Sequence, residues 1–328
     1  MRAKFSRASL LAGPLALLLV QAAPAQIYRA GEEGTFSIIG RDPATGELGI
    51  AVQSRTIAVG SRTRGGKAGV AVFAHQAASN PMYSAIGVQL LEAGLTPQEA
   101  LDMMLRSDEG RDTRQVAILD AQGRTAAWTG PATSDWKGHK CGVNYCAEGN
   151  TLTGPEVVDA MARSFESSSG PLAERLLSAL EAGQAAGGDR RGTESAGLLI
   201  LKPRAIQGFG DRALDLRVDE HRAPIPELRR ILDAVRSGEM VSKANAALAR
   251  GDRAAALDLA RAASEKSPTN DNAWVAIARV RLEMGSKAEA LAALAHAVEL
   301  NPANKRQLPR NEAFESLYKD PEFLRIVK

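Results

Sequence analysis

The C-terminal part of the chain repeats itself at an interval of 34 residues, and this interval limits the folds that it can adopt. Gly251 corresponds to Gly285, and Pro268 corresponds to Pro302. Both copies are rich in alanine between these positions. Small side chains let helices approach closely, and a proline cannot continue a helix because it lacks the backbone N–H. The interval therefore predicts paired helices that stack on one another.

This period and residue pattern resemble the tetratricopeptide repeat, a helix-turn-helix unit. The resemblance implies an all-α module over residues 237–328, capped by an apolar segment over residues 310–326. Grooves between such helices commonly take peptide segments, so we expect a protein partner here. A helix over residues 225–236 precedes the module, and Ser237-Gly238 is the predicted boundary.

The first 25 residues have the features of a secretory signal. A basic start is followed by an apolar run over residues 10–20 and by small residues before Gln26. Such a run is short for a transmembrane helix. We therefore expect a mature chain that begins at Gln26, has no membrane span after signal removal, and is periplasmic or secreted; an uncleaved anchor is the alternative.

The formal net charge of +3 arises from Arg2, Lys4 and Arg7, all within the predicted signal. The remaining chain is formally neutral, which argues against nucleic acid and strongly anionic membranes as partners. Histidines and carboxylates show no metal-ligand spacing, so we expect neither a metal nor a cofactor. The oligomeric state leaves no signal in the sequence.

Cys141 and Cys146 are the only cysteines, and they lie five positions apart. An even cysteine count in an exported protein favours pairing, so we predict a disulfide. A zinc site is the alternative, but two thiols with His139 nearby lack a clear fourth ligand.

Residues 26–236 alternate strand pairs with helix pairs. Strands are predicted over residues 36–41, 47–54, 69–74, 115–120, 124–129, 196–201 and 214–218. Helices are predicted over residues 84–93, 97–106, 155–165 and 171–185. This order favours a sandwich of two sheets covered by helices on both sides.

Thr35 stands at the start of the first predicted strand. A β-branched residue suits that position for structural reasons alone. If the chain were cut before Thr35, however, one residue would carry both a hydroxyl nucleophile and a free amine. An α-amine has an ordinary pKa of roughly 8, so it could serve as the base for its own hydroxyl near neutral pH.

Several motifs between residues 34 and 235 resemble one family. They are Thr35-Phe36-Ser37-Ile38, Gly49-Ile50-Ala51-Val52-x-Ser54-Arg55, Ala58-Val59-Gly60, Gln76, Asn80-Pro81-x-Tyr83, Gly149-Asn150 and Gly187-Gly188-Asp189-Arg190-Arg191-Gly192. The family is the domain of unknown function 1028, which is grouped with the N-terminal nucleophile hydrolases. The resemblance implies an α+β fold, a four-layer α-β-β-α sandwich, ahead of the all-α repeat module.

The resemblance also implies roles for individual residues. Thr35 is the nucleophile candidate, and Arg55 and Lys67 are the candidates for the charges that keep its amine neutral and stabilise an oxyanion. Polar residues expected to bind or position a small amide or peptide-like substrate are Gln76, Asn80, Asn150, Asp189 and Arg190. The Asp189-Arg190 loop could equally be a helix C-cap with solvated charges.

Two features depart from the pattern of active N-terminal nucleophile hydrolases. Proteasome-like members carry an aspartate before the Ser-Arg pair, where this chain has Gln53. Signal removal would also leave residues 26–34 in front of Thr35. The sequence therefore supports two functions: an exported amidohydrolase with an N-terminal threonine, or a catalytically inactive binding or scaffold protein that uses the cleft and the helical repeats.

Overall fold

The computed structural model describes residues 34–206 and 210–328; the predicted signal lies outside these ranges. The strands are β1 (Thr35–Arg41), β2 (Leu48–Ser54), β3 (Arg64–Lys67), β4 (Ala71–Ala77), β5 (Arg114–Asp120), β6 (Thr125–Thr129), β7 (Gly138–Gly142), β8 (Tyr145–Asn150), β9 (Ser195–Ile206) and β10 (Gly210–Val218). The helices are α1 (Val59–Arg62), α2 (Met82–Glu92), α3 (Pro97–Ser107), α4 (Glu156–Ser167), α5 (Leu172–Ala185), α6 (Pro224–Ala249), α7 (Arg253–Lys266), α8 (Asp271–Glu283), α9 (Lys287–Leu300), α10 (Asn304–Gln307) and α11 (Pro321–Val327).

The hairpin β1–β2 forms the centre of the larger sheet. Asp42 begins its turn by accepting a hydrogen bond from the backbone N–H of Ala44 at 2.8 Å, and Gly46 supplies a φ of +77°. The second strand starts at Leu48, one residue later than predicted. This turn aligns Thr35 with Ser54 at the far end of the hairpin, which fixes what lies beside the candidate nucleophile.

Two antiparallel sheets stack face to face within the described residues. The larger has the order β10-β9-β2-β1-β8-β7, and the smaller has the order β3-β4-β5-β6. Because side chains alternate along a strand, Ile39 and Ile50 pack between the sheets while Phe36 and Ile38 face the helices. Both faces of β1 and β2 are therefore buried, as their continuous apolar sequence requires.

Helices cover the outer face of each sheet. On the larger sheet, α4 and α5 pack against Phe36 through residues such as Phe165 and Leu176. On the smaller sheet, α2 and α3 pack against Phe73. Thr96 begins α3 in a capping box with Glu99, as its position before Pro97 predicted. The predicted α+β, four-layer α-β-β-α sandwich is confirmed.

Helix α6 is shared by the sandwich and the repeats. Leu228 and Leu232 pack in the core beneath the larger sheet, whereas Ala247 packs in the helical core of the repeats. The predicted helix end at residue 236 is wrong. Gly238 lies inside α6, where a glycine costs a helix about 1 kcal/mol. Packing at the neighbouring residue offsets this cost, because Ser237 is fully buried and donates to the Ala263 carbonyl at 2.7 Å.

The predicted repeat is present as α7, α8 and α9 together with the second half of α6. Gly251 and Gly285 occupy equivalent turns with φ of +82° and +79°, a conformation that explains why glycine recurs there. Short 3₁₀ segments and α11 close the array with Leu317 and Phe323 buried. None of the helices in the described ranges is long and apolar enough to cross a membrane.

Candidate active site

Thr35 is the first residue of β1, and its side chain lines a cavity of about 350 Å³. The residue is only 4% exposed, so its hydroxyl faces the cavity rather than open solvent. The cavity wall is dominated by hydroxyl groups, with one arginine and a few apolar side chains. The other residues that line it are Ser54, Thr56, Val59, Ser61, Arg62, Thr63, Ala77, Ser79 and Pro81.

Three side chains converge on the carbonyl oxygen of Gly34, the residue before Thr35. Thr35 Oγ1 lies 2.7 Å from it, Ser54 Oγ donates to it at 2.5 Å, and Arg191 Nη2 donates to it at 2.6 Å. Ser54 Oγ also lies 3.1 Å from Thr35 Oγ1. The Gly34–Thr35 peptide bond is therefore polarised by an ionised donor and a neutral donor, and the Thr35 hydroxyl lies beside it.

Asp189 holds Arg191 in this position. The buried Asp189 carboxylate accepts from Arg191 Nη2 at 2.7 Å and from Nε at 3.1 Å, a two-point contact that fixes the plane of the guanidinium. The same carboxylate accepts from the backbone N–H of Arg191 at 2.9 Å and of Arg55 at 3.3 Å. A bridge between Leu152 and Asp189 ties the loop to the end of β8. Asp189 is thus a positioning residue.

Arg55 and Arg190 do not have their predicted roles in this arrangement. Arg55 donates through Nη1 to the Arg191 carbonyl at 2.9 Å and lies 3.9 Å from Glu194, so it braces the loop that carries Arg191. Arg190 is exposed, and its backbone N–H donates to the Thr151 carbonyl at 3.0 Å. The cation at the Gly34 carbonyl is Arg191, the other arginine of the motif.

Gln76 and Asn150 are buried beneath Thr35 and connect the two sheets. Gln76 Nε2 lies 3.3 Å from the Thr35 carbonyl, and Gln76 Oε1 accepts from Ser37 Oγ at 2.8 Å. Gln115 Oε1 accepts from both Gln76 and Asn150 at 2.9 Å. Neither amide is more than 1% exposed, and both position the strand that carries Thr35. Contact of these two residues with a substrate stays a prediction.

The structure does not bring Lys67 to Thr35. Lys67 ends β3 and pairs with Glu92 at 2.5 Å. The neighbouring Gly66 packs against Leu201, which aligns with Leu48 at the end of β2 opposite to Ser54. The predicted catalytic role of Lys67 is therefore wrong.

Asn80 lies beside a second cavity of about 210 Å³, next to the one that holds Thr35. Asn80 Oδ1 accepts from the backbone N–H of Met82 at 3.0 Å, and this bond stabilises the first turn of α2. Its neighbours Ser79 and Pro81 reach the wall of the Thr35 cavity. Asn80 therefore stabilises the segment that forms this wall.

Gln53 lies on the helix-covered face of the larger sheet. It aligns with Phe36, whereas Ser54 aligns with Thr35, and alternate residues of a strand face opposite sides. Gln53 Nε2 reaches the Gly192 carbonyl at 3.5 Å. Its side chain therefore supports the Arg191 loop from below and does not contact the Thr35 hydroxyl.

Two buried titratable groups lie close to the site. Burial lowers the pKa of His75 to about 4, so the ring is neutral at physiological pH; its Nδ1 lies 2.9 Å from Ser79 Oγ on the cavity wall. Burial raises the pKa of Glu148 well above its usual range. Glu148 aligns with Ser37 on one side and with His139 on the other, and burial lowers the pKa of His139.

The predicted disulfide joins Cys141 and Cys146 directly across the β7–β8 hairpin. It lies at the turn end of that hairpin, and Asn150, at the other end of β8, aligns with Thr35. Among residues 34–206 and 210–328, no group of three or more histidine, cysteine, aspartate or glutamate side chains could hold a metal ion.

Comparison with known proteins identified two families. The family of unknown function DUF1028 matches residues 35–228, and a tetratricopeptide repeat, TPR_19, matches residues 247–308. A crystal structure of a DUF1028 protein from Silicibacter pomeroyi shares 33% identity, covers 61% of this chain and 88% of that chain, and has a TM-score of 0.56.

Anbu, an ancestral β-subunit from Yersinia bercovieri, shares 12% identity over 60% of this chain and 91% of that chain. The TM-score of that match is 0.30. No curated protein matches the chain at a significant level.

Proposed function

The chain belongs to the DUF1028 family, whose name specifies no reaction, and we propose from the site itself that it is an exported amidohydrolase. Thr35 is the nucleophile, and the substrate is a small amide or peptide-like molecule. One observation carries the proposal: the Thr35 hydroxyl faces a cavity and lies 2.7 Å from a carbonyl oxygen that Ser54 and Arg191 also contact.

Self-cleavage of the Gly34–Thr35 bond is the first step. Thr35 Oγ1 attacks the Gly34 carbonyl carbon, an O–C bond forms, the C–N bond breaks, and the hydroxyl proton ends on the Thr35 nitrogen. Ser54 and Arg191 stabilise the negative charge that develops on the carbonyl oxygen. Water then hydrolyses the ester, which leaves a carboxylate on Gly34 and a free amine on Thr35.

Turnover uses the same hydroxyl with the freed amine as its base. The amine accepts the Oγ1 proton while Oγ1 attacks the amide carbonyl of the substrate. When the C–N bond breaks, that proton passes to the leaving amine. Water hydrolyses the acyl-enzyme ester to a carboxylic acid and restores Thr35. The nearby Arg191 charge favours the neutral form of the amine, as a base requires.

The two ends of the chain have separate proposed roles. The first 25 residues direct export and are removed, so self-cleavage then releases only residues 26–34. The repeats, which belong to a class of protein-interaction modules, bind a protein partner. In this scheme the site in the sandwich performs the chemistry, and the repeats determine where it takes place.

A catalytically inactive binding or scaffold protein is the second candidate function. It is favoured by the positions of Arg55 and Lys67, since neither predicted cation contacts the Thr35 hydroxyl. Under this alternative Thr35 only begins a strand, and residues 26–34 stay attached.

An intact-mass measurement on the exported full-length protein separates the two functions. The amidohydrolase is expected to begin at Thr35, and Thr35→Ala is expected to begin at Gln26. Thr45→Ala, a change in the exposed turn of the first hairpin, serves as the matched control and should be processed like the wild type. A wild-type mass that retains residues 26–34 would refute the threonine mechanism and leave the binding function.

A further inference from the structure

The space around Gly34 admits no side chain. A Cβ atom built on Gly34 would lie 2.6 Å from Asp189 Oδ2, 2.8 Å from Arg191 Nη2 and 2.8 Å from Thr151 Cβ. The requirement for glycine at this position is therefore one of space. The carbon next to the polarised carbonyl therefore lies in a pocket that fits a methylene group.

The walls of this pocket belong to the part of the chain that follows Thr35. Asp189 is 3% exposed and is fixed by its two-point contact with Arg191. Thr151 is 2% exposed, and its backbone donates to the Ser134 carbonyl at 2.9 Å. The contacts that fix Asp189 and Thr151 are thus made within the part of the chain that follows Thr35.

We infer that the place of Gly34 in the intact chain becomes the acyl subsite of the mature site, and that it selects amides whose acyl group has an unsubstituted α-carbon. This inference rests on the proposed function. Arg191 and Ser54 hold the substrate carbonyl as they hold that of Gly34. Glycyl amides and amides of straight-chain acids fit, whereas an α-carbon with an L-configured side chain collides with Asp189, Arg191 and Thr151.

The first test measures cleavage by a chain that begins at Thr35 after an initiator methionine is removed, which makes self-cleavage unnecessary. Its probes are the 7-amido-4-methylcoumarins of N-acetylglycine and N-acetyl-L-alanine. We expect kcat/KM to favour the glycyl probe by about 10- to 100-fold, the range that an overpacked methyl group costs. Equal rates would overturn the inference.

Thr151→Gly supplies a variant that should still fold, because Thr151 has a φ of +57°, which glycine adopts without strain. Removing its Cβ opens one of the three walls. The preference for glycyl over alanyl probe is therefore expected to fall several-fold. An unchanged ratio would show that Thr151 does not bound the acyl group, and the proposed subsite would be wrong.

A second test needs no nucleophile, so its failure is distinct from failure of the proposed chemistry. Thr35→Ala in the trimmed chain is titrated with N-acetylglycinamide and N-acetyl-L-alaninamide, and binding is followed by saturation-transfer NMR. We expect a signal from the glycinamide and a much weaker one from the alaninamide. Arg191→Lys keeps a positive charge beside Asp189 but loses the planar fork, so it should weaken the glycinamide signal. Arg106→Lys, on the exposed face of α3, should leave it unchanged.

The outcomes of the two tests show whether the proposed subsite or the proposed threonine chemistry is wrong. Selective, Arg191-dependent binding without cleavage of either probe would retain the subsite and refute the threonine chemistry. Equal binding of both amides, binding that ignores Arg191→Lys, or the absence of binding and cleavage would overturn the subsite.

Discussion

Replacing Ser54 with alanine isolates one of the donors at the Gly34 carbonyl. In the intact chain Ser54 Oγ donates to that oxygen at 2.5 Å, and Arg191 Nη2 donates at 2.6 Å. Loss of one oxyanion donor typically slows acyl transfer by about 10²- to 10³-fold. Because the charged donor Arg191 remains, we expect Ser54→Ala to slow self-cleavage by about 10²-fold, at the lower end of that range.

The same substitution has a small expected effect on folding. Ser54 is 1% exposed, and losing a buried neutral hydrogen bond costs about 1 kcal/mol of unfolding free energy. The chain should therefore stay folded while its processing fails. This separation of rate from stability distinguishes a role in stabilising charge from a structural role.

The assay follows the precursor by intact mass after cell-free synthesis of the chain from Gln26, with urea unfolding as the stability measurement. Ser167→Ala, an exposed serine of α4, is the matched control and should be processed at the wild-type rate. If Ser54→Ala matures as fast as the wild type, the Ser54 contact stabilises no charge in the transition state and the reasoning is refuted.

Three further outcomes are expected. Burial raises the pKa of Glu148 above the ordinary value of 4.5 that applies in the unfolded chain, so the folded chain holds this proton more tightly and the unfolding free energy should fall as pH rises above 4.5. The slope is at most about 1.4 kcal/mol per pH unit, and Glu148→Gln should remove it in urea titrations across pH. A chain that ends after Gly238 should still cleave itself, as intact mass can show, whereas one that ends after Ala223 lacks α6 beneath the larger sheet and should fail to fold by circular dichroism. Alkylation of the denatured, unreduced protein should label neither Cys141 nor Cys146; labelling of both would contradict the disulfide.

Local sequence signals predicted most of the sandwich because each signal is physically local. Thr96 before Pro97 and the turn that starts at Asp42 each determine an element within a few residues of themselves. The strands β7 and β8 gave no such signal. Their sequences contain histidine, lysine, glutamate and glycine, and they form strands because β1 provides an unpaired edge to which β8 can bond.

The site was harder to predict because single-residue shifts decide it. A shift of one residue in the register of the first hairpin would align Thr35 with Gln53 or Arg55, whereas the observed register aligns it with Ser54. Likewise Arg190 and Arg191 are neighbours in sequence, and the bridge at Asp189 determines which of them reaches Gly34. Lys67 lies away from Thr35 because it pairs with Ala71 at the start of β4, whereas Gln76, beneath Thr35, lies near the other end of that strand.

The unbroken helix α6 has a geometric consequence for any molecule that the repeats hold. With Ser237 bonded to the Ala263 carbonyl and Lys266 paired with Asp233 at 2.8 Å, the joint between the repeats and the sandwich has no flexible linker. A ligand that is tethered through a flexible linker samples a broad volume. A rigid connection instead holds the ligand at one distance and one angle from the second site. The effective concentration of a bound partner segment at the Thr35 cavity is then either very high or nearly zero, and the direction of a single helix decides which.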